Sequence, residues 1–242
     1  MNFKGLTDKG IVRSSNQDAY FSGNIAGTPF AVVCDGMGGT SGGNIASGMT
    51  VERFEKLSTN PDTRLNDSRS AERFFTSAIT SANVLVYNKA SEDDSLKGMG
   101  TTVVAAAVLN NSIVIAHVGD SRAYYINDNK ITQITRDHSL VQSLIESGKI
   151  TAEEAKTYPH RNMITRAVGV GTDLEIEFDE ISYDTGGILL LCTDGLTNMV
   201  SDEEILEIIT KDFTNAESLL INKANEKGGL DNITAAIIKL GE

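Results

Sequence analysis

Four short apolar runs in this sequence each lie next to an aspartate. The runs are 30–34, 112–118, 187–192 and 233–238, and the aspartates are Asp35, Asp120, Asp194 and Asp231. Apolar runs of this length are typical of buried strands, which places the carboxylates at strand ends. Carboxylate oxygens without histidine or cysteine partners suit Mg²⁺ or Mn²⁺, and two such ions that share a carboxylate and a water can hydrolyse a phosphate ester. If the strands pair, the aspartates converge on a candidate metal cluster.

Ordinary structural roles would also account for single members of this set. Asp35 precedes a glycine-rich turn and would serve there as a cap for the next helix. Asp120 lies in a predicted hairpin turn, where turn geometry alone favours aspartate. His138 and His160 lie near predicted helix starts, where a histidine is more often a structural hydrogen-bonding residue than a catalyst. The recurrence of the aspartate pattern is what favours a metal cluster.

The elements that must position these residues do not alternate between strand and helix. Predicted strands are 2–8, 19–25, 30–34, 101–109, 112–118, 123–127, 131–134, 175–183, 187–192 and 233–238. Predicted helices are 44–57, 71–89, 140–147 and three that begin at the capping boxes 151–154, 201–204 and 214–217. This order implies antiparallel sheets covered by helices.

Composition excludes several classes of function. The formal net charge of −12 over 242 residues argues against nonspecific binding of nucleic acid. The first residues lack the apolar segment of a signal peptide, and Asn110-Asn111 interrupts the longest uncharged stretch. We therefore expect a cytoplasmic protein without membrane insertion. Cys34 and Cys192 lie on apolar strands, which favours buried free thiols over a disulfide.

Seven short motifs are spread over residues 13–234. They are R-x-x-N-Q-D (13–18), D-G-M-G-G (35–39), G-M-G-T-T (98–102), G-D-S-R (119–122), D-H-S (137–139), T-D-G-L (193–196) and D-N-I-T (231–234). Each motif alone is common by chance. In this order the set resembles the metal-dependent protein phosphatases of the PPM type, the protein phosphatase 2C family, and in particular its small bacterial members.

The resemblance implies an α+β fold. In that fold, two antiparallel sheets form a β-sandwich flanked by helices on both outer faces, as four α-β-β-α layers. A flap segment near 140–168 is expected to border the active site and to select substrates. Residues 1–242 are expected to form a single phosphatase catalytic domain, and the protein is expected to be a monomer.

The activity implied by the resemblance is hydrolysis of phosphoserine and phosphothreonine in proteins by a metal-bridging hydroxide. No phosphoenzyme is formed, and the enzyme reverses a serine/threonine kinase. The implied partners are phosphorylated proteins, including such a kinase, and not nucleic acid. The implied cofactors are two Mn²⁺ or Mg²⁺ ions, with a third ion held more weakly.

The resemblance also implies a role for each site residue. Asp35 bridges two ions, with the Gly36 carbonyl on one ion and Asp194 and Asp231 on the other. These aspartates carry the chemistry, because they hold the ions that activate water. Arg13 binds the phosphate group, since its forked guanidinium can contact two phosphate oxygens.

Two outer positions complete the implied metal site. Asp120 holds the third ion together with Asp194, and Asp18 holds metal-bound waters from behind the ligands. Met37 departs from the pattern of many eukaryotic relatives, in which a histidine at this position is assigned as the leaving-group acid. A metal-bound water, His138 and His160 stay open as alternatives for that acid.

Two other functions stay open from the sequence. A nuclease or other phosphodiesterase would use the same metals, although the acidic charge disfavours a nucleic-acid substrate. A catalytically silent module that binds phosphoproteins is the second alternative. The presence of all the expected metal aspartates disfavours it.

Overall fold

Two antiparallel β-sheets form the centre of the computed structural model, which describes residues 2–39 and 42–241. Their strands are β1 (Asn2–Asp8), β2 (Asp18–Ile25), β3 (Thr28–Met37), β4 (Gly100–Thr101), β5 (Val103–Val108), β6 (Ser112–Val118), β7 (Arg122–Asn127), β8 (Lys130–Gln133), β9 (Glu177–Ser182), β10 (Ile188–Cys192) and β11 (Ile233–Lys239). The first sheet has the order β1-β11-β10-β7-β8, and the second has the order β2-β3-β5-β6-β9 with β4 also paired to β3. The strand order therefore interleaves elements from both ends of the chain.

Helices cover the outer faces of both sheets. The outer layers consist of α1 (Gly42–Ser58) and α2 (Ser68–Glu92) on one side and α6 (Asp202–Lys211) and α7 (Ala216–Glu226) on the other. The remaining described helices are α3 (Leu140–Glu146), α4 (Ala152–Ala155) and α5 (Asp194–Thr197). None of the described helices is both long enough and apolar enough to cross a membrane.

The side chains of the central strands divide between two environments. Alternate residues of β3 and β10, such as Val33 and Leu191, pack between the two sheets. The residues between them face the helices, with Val32 packed among Phe54 and Phe75 of α1 and α2. Because both faces of these strands are buried, their sequences read as unbroken apolar runs rather than as an alternating pattern.

The second helical layer lies on the other sheet. Leu190 and Ile237 pack there against α6 and α7 through Ile205, Ile209 and Leu220. The layers are thus helix, sheet, sheet and helix, which confirms the predicted four-layer β-sandwich. Both cysteines are buried and free, as expected.

The predicted helix at the third capping box was placed wrongly. We expected Thr214 to cap it, but the Asp212 carboxylate accepts hydrogen bonds from the Thr214 and Asn215 backbone N–H groups. A 3₁₀ turn over Phe213–Asn215 results, and α7 begins only at Ala216. The other two boxes, at Thr151 and Ser201, are formed as predicted.

Candidate metal centre

Four predicted aspartates meet at one cavity of about 310 Å³. Asp35, Asp120, Asp194 and Asp231 all line it, together with Arg13. The four aspartates come from the ends of β3, β6 and β10 and from the residues before β11, and Arg13 comes from the loop between β1 and β2. Paired strands of two packed sheets end along a shared edge, and this explains why residues so distant in sequence come together.

Asp35 is held by its backbone at the end of β3. Its N–H donates to the Thr102 hydroxyl at 2.9 Å, and its carbonyl accepts from the Thr102 N–H at 2.8 Å. Thr101 donates its hydroxyl to the same carbonyl at 2.8 Å. The predicted strand 101–109 is divided at Thr102, between β4 and β5, and this residue turns its side chain towards Asp35. The backbone of Asp35 is therefore fixed by hydrogen bonds that do not use the carboxylate oxygens.

Asp18 lies directly opposite Asp35 in the ladder between β2 and β3. It is buried, and its Oδ2 accepts hydrogen bonds from the hydroxyls of Thr193 at 2.8 Å and Thr234 at 2.7 Å. Its Oδ1 is also buried and has no hydrogen-bond partner among the described residues. Asp18 is not among the described residues that line the cavity, so its role behind the metal ligands stays a prediction.

Asp194 is the first residue of α5, directly after β10. Its Oδ2 accepts a hydrogen bond from the Asn198 side chain at 3.0 Å, whereas its buried Oδ1 has no partner in the described part of the chain. The carboxyl groups of Asp194 and Asp35 contact each other. A Cβ at Gly195 would collide with the Asn232 carbonyl oxygen, so glycine permits the close approach of the loop that carries Asp231.

Arg13 and Asp231 form an ion pair at the mouth of the cavity. The Arg13 Nη2 lies 2.7 Å from Asp231 Oδ2, and the side chain is half exposed. Asn232 holds the loop of Arg13 in place: its Nδ2 donates to the carbonyls of Lys9 and Ser15 at 2.8 and 2.9 Å. Asn232 belongs to one of the sequence motifs. Its hydrogen bonds to the loop of Arg13 join two distant parts of the chain, so the sequence does not predict them.

Burial and the charges of neighbouring carboxylates raise the pKa values of Asp18, Asp35, Asp120 and Asp194. Burial, followed by the charges of Asp18 and Asp194, holds the pKa of Asp35 well above its usual range. Burial raises the pKa of Asp18 to about 7 and, together with the Asp194 charge, that of Asp120 to about 8. Burial and then the Asp231 charge also raise the pKa of Asp194. The site therefore has too few positively charged groups to neutralise its carboxylates.

A divalent cation fits this set of donors. All the candidate ligands are oxygens, which Mg²⁺ and Mn²⁺ prefer, and two buried carboxylate oxygens have no hydrogen-bond partner among the described residues. Arg13 is the one cationic side chain among the described residues that line the cavity. We call Asp18, Asp35, Asp120, Asp194 and Asp231 the aspartate cluster.

Comparison with known proteins agrees with this geometry. Residues 11–227 match the family model described as Protein phosphatase 2C. The chain belongs to the protein phosphatase 2C family. Its members are phosphatases of proteins and therefore hydrolases, so the resemblance seen in the seven motifs is confirmed.

Relatives match this phosphatase along nearly their whole length. The chain is 37% identical to the protein phosphatase PhpP of Streptococcus pneumoniae, over 100% of this chain and 98% of that protein. The structure of the S. agalactiae serine/threonine phosphatase superposes with a TM-score of 0.93 at 37% identity, covering 99% of each chain. A crystal structure of the catalytic domain of the serine/threonine protein phosphatase PstP contains two manganese ions, and it covers 100% of this chain and 98% of that chain at 31% identity and a TM-score of 0.87.

The position of the two candidate histidines bears on the leaving-group acid of this phosphatase. Met37 lines the cavity, whereas neither His138 nor His160 does among the residues that the structure describes. His160 is exposed and has a left-handed backbone with φ 59°. His138 is buried in a separate group of side chains. From the flap, Asn162 and Ile164 reach the cavity, and neither was predicted as a site residue.

That separate group contains His117, His138, Glu177, Asp179 and Arg166, and we call it the histidine cluster. His138 Nε2 lies 2.9 Å from Glu177 and 3.1 Å from an Arg166 nitrogen. The rings of His117 and His138 are stacked, with centroids 4.6 Å apart. Ring nitrogens of both histidines and a Glu177 oxygen lie within 4.8 Å of one another, a spacing that would permit a metal ion.

The hydrogen bonds of this cluster disfavour a metal ion there. His138 Nδ1 accepts the Gly119 N–H at 3.1 Å, so a neutral His138 carries its proton on Nε2 and donates it to Glu177. An ion at Nε2 would require an imidazole without any proton. It would also face the Arg166 guanidinium, which pairs with Glu175 at 2.8 Å. The histidine cluster is therefore a hydrogen-bonded ion-pair network.

Proposed function

We propose that this phosphatase hydrolyses phosphoserine and phosphothreonine in proteins with two divalent cations and reverses a serine/threonine kinase. The observation that carries the proposal is the convergence of Asp35, Asp194 and Asp231 with Arg13 on one cavity. The serine/threonine phosphatase from S. agalactiae and the PstP structure with two manganese ions support it by similarity. Phosphorylated proteins are the partners that this activity requires.

The aspartate cluster would hold the cations. In this proposal Asp35 is shared between two ions, the Gly36 carbonyl contacts one, and Asp194 and Asp231 contact the other. Asp120 and Asp194 would hold a third, weaker ion, and Asp18 would orient water behind the ligands. When bound, such ions would lower the pKa of water towards neutrality and supply the hydroxide that attacks phosphorus.

Arg13 would bind the phosphate group. Its Nη2 pairs with Asp231 and its Nε lies 3.4 Å from the Leu230 carbonyl, so the guanidinium is oriented before substrate arrives. The remaining N–H groups are available for phosphate oxygens, whose negative charge they would stabilise during attack. Loss of Arg13 should therefore weaken both binding and turnover.

The leaving oxygen needs a proton from a source other than Met37. The titratable side chains among the described residues that line the cavity are Arg13 and the four aspartates. We therefore assign the proton to a water molecule rather than to His138 or His160. Cytoplasmic localisation, a monomeric state and a single domain over 1–242 stay predictions from the sequence.

Phosphate release from a phosphothreonine peptide tests the proposal. We expect release with Mn²⁺, none with excess EDTA, and a rate on the order of a thousandfold lower for Asp194→Ala. A folded wild-type protein that binds the peptide without releasing phosphate would instead be a binding module. Equal turnover of a bis-phenyl phosphodiester would favour the phosphodiesterase alternative.

A further inference from the structure

Exposed apolar side chains are concentrated beside the cavity of the aspartate cluster. Nine large apolar side chains are exposed in the described part of the chain. Of these, Val12 directly precedes Arg13, Leu230 directly precedes Asp231, and Met163 lies between the two flap residues that reach the cavity. Ile11 adjoins Val12 and is 67% exposed. Exposed apolar surface next to a site marks a contact region for a ligand or partner.

Three of these residues, Ile11, Val12 and Leu230, form a surface that we call the apolar ledge. It consists of two loops joined by backbone hydrogen bonds. The N–H groups of Ile11 and Val12 both donate to the Gly229 carbonyl, at 2.8 and 3.1 Å. Gly229 itself packs against Ile11, because a Cβ there would lie 2.8 Å from the Ile11 Cγ1.

The same two loops carry Arg13 and Asp231, so the ledge has a fixed position relative to the phosphate site. Gly10 has φ +78° and approaches the Asp231 carbonyl so closely that any Cβ would clash. Asn232 adds its hydrogen bond to the Lys9 carbonyl. An exposed apolar surface held this rigidly loses little conformational entropy when a ligand covers it.

We propose that the ledge binds an apolar side chain that flanks the phosphorylated residue of the substrate, which makes substrate choice depend on Ile11, Val12 and Leu230. This inference rests on the proposed function. Continuity with Arg13 identifies the occupant: a polypeptide whose phosphate lies at Arg13 must pass over one of the neighbouring surfaces, and the ledge directly adjoins that residue. An apolar flanking side chain would bury surface there, whereas a polar one would gain nothing.

Selectivity between matched phosphopeptides tests the ledge. Three phosphothreonine peptides serve as substrates. The first has leucine at the positions before the phosphothreonine, the second has leucine at the positions after it, and the third has serine on both sides. We expect wild type to show a kcat/KM about tenfold higher for the better leucine peptide than for the serine peptide, as one apolar side chain in a pocket commonly provides. Val12→Ser combined with Leu230→Ser should bring that ratio close to one.

The chain offers a matched control variant. Val84 and Leu85 on α2 are the same residue types and are 50% and 45% exposed, compared with 62% and 54% for Val12 and Leu230. Val84→Ser combined with Leu85→Ser should retain the wild-type ratio. The ledge proposal is overturned if the wild-type ratio of kcat/KM between the leucine and serine peptides is near one, or if the ledge variant keeps the wild-type ratio.

Two further measurements distinguish a substrate-binding ledge from an inactive enzyme and from a dimer contact. Wild-type hydrolysis of p-nitrophenyl phosphate with Mn²⁺ reports the aspartate cluster alone, because this substrate has no flanking residues. If wild type hydrolyses it but shows no selectivity between the phosphopeptides, the ledge proposal is overturned and the proposed function is kept. Failure on both substrates removes both proposals. Sedimentation tests for a dimer contact. If the wild-type mass rose with concentration, the ledge variant lost that rise, and wild type showed no peptide selectivity, the ledge would be a contact between two copies of the chain. That result would overturn its assignment to substrate.

Discussion

The aspartate cluster and the histidine cluster both gather titratable groups at the ends or edges of the same strands. Asp120 follows β6 by two residues, and His117 lies within β6. In the aspartate cluster, four carboxylates face one cavity, and burial together with neighbouring carboxylate charges raises the pKa values of Asp35 and Asp194. In the histidine cluster, Glu177 accepts a hydrogen bond from His138 and lies 3.6 Å from the Arg166 guanidinium, although His117 Nδ1 and Asp179 Oδ2 are buried without a hydrogen-bond partner among the described residues.

The contrast shows what separates a metal centre from a structural network. Ligand type alone would admit both clusters, and ligand spacing favours the histidine cluster, in which three ligand atoms lie within 4.8 Å of one another. Uncompensated charge and an open cavity distinguish the aspartate cluster. Buried carboxylates in such surroundings destabilise a fold until a cation is bound, whereas Glu177 of the histidine cluster already has a guanidinium and an imidazole beside it.

Paired substitutions of one carboxylate by its amide should separate the clusters most strongly in activity. Asp35→Asn removes the proposed shared ligand, and we expect phosphate release to fall on the order of a thousandfold or more. Glu177→Gln keeps an acceptor for His138 and should stay within a fewfold of wild type. Initial rates on a phosphothreonine peptide with Mn²⁺ provide the measurement. Comparable losses in both variants would contradict the separation.

The same pair of variants should differ in stabilisation by metal. A ligand that binds only the folded state at a hundred times its Kd adds about 2.7 kcal/mol to the free energy of unfolding. Wild type and Glu177→Gln should therefore both show a higher unfolding midpoint with Mn²⁺ than with EDTA. Asp35→Asn should lose most of that difference. If Glu177→Gln lost the shift instead, the metal centre would lie at the histidine cluster.

The aspartate cluster could be predicted because its residues share a simple property. Asp35, Asp120, Asp194 and Asp231 each adjoin an apolar run that is largely buried on both faces, so the run is visible without knowledge of its partners. Asp18 instead begins the half-exposed strand β2, and only the family resemblance pointed to it. Strand ends in packed antiparallel sheets then meet along an edge. Helix ends were less predictable: α2 begins at Ser68 rather than 71, because its cap Asp67 lies outside the apolar stripe.

The histidine cluster could not be predicted, because it depends on strand register. His117 interrupts an apolar strand and Glu177 lies on a partly exposed edge strand, and only their pairing across β6 and β9 places them opposite each other. Arg166 then arrives from a loop with no periodic pattern. Asn232 was missed for a related reason, since its partners Lys9 and Ser15 lie more than two hundred residues away.

The pH dependence of stability should show the smallest difference between the clusters, and with opposite sign. Burial lowers the pKa of His138, against the opposing hydrogen bond to Glu177, and the neighbouring His117 and Arg166 charges add to that lowering. The unfolded chain therefore binds more protons than the folded chain between that lowered pKa and the usual value near 6.5, so wild type loses stability as pH falls through this window. Raised carboxylate pKa values have the reverse effect: stability falls as pH rises through about 7 for Asp18 and about 8 for Asp120.

His138→Asn should isolate the histidine contribution, because an asparagine oxygen can still accept the Gly119 N–H while the titrating group is lost. We expect urea unfolding in EDTA to show that wild type loses stability relative to His138→Asn as pH falls from 7 to 5. The aspartate contribution is common to both proteins and cancels in the difference. His160→Asn, at an exposed position, is the control and should follow wild type. If the free energies of unfolding of His138→Asn and wild type differed by a constant amount across this range, the histidine cluster would not resist protonation. The electrostatic contrast between the two clusters would then rest on the aspartates alone.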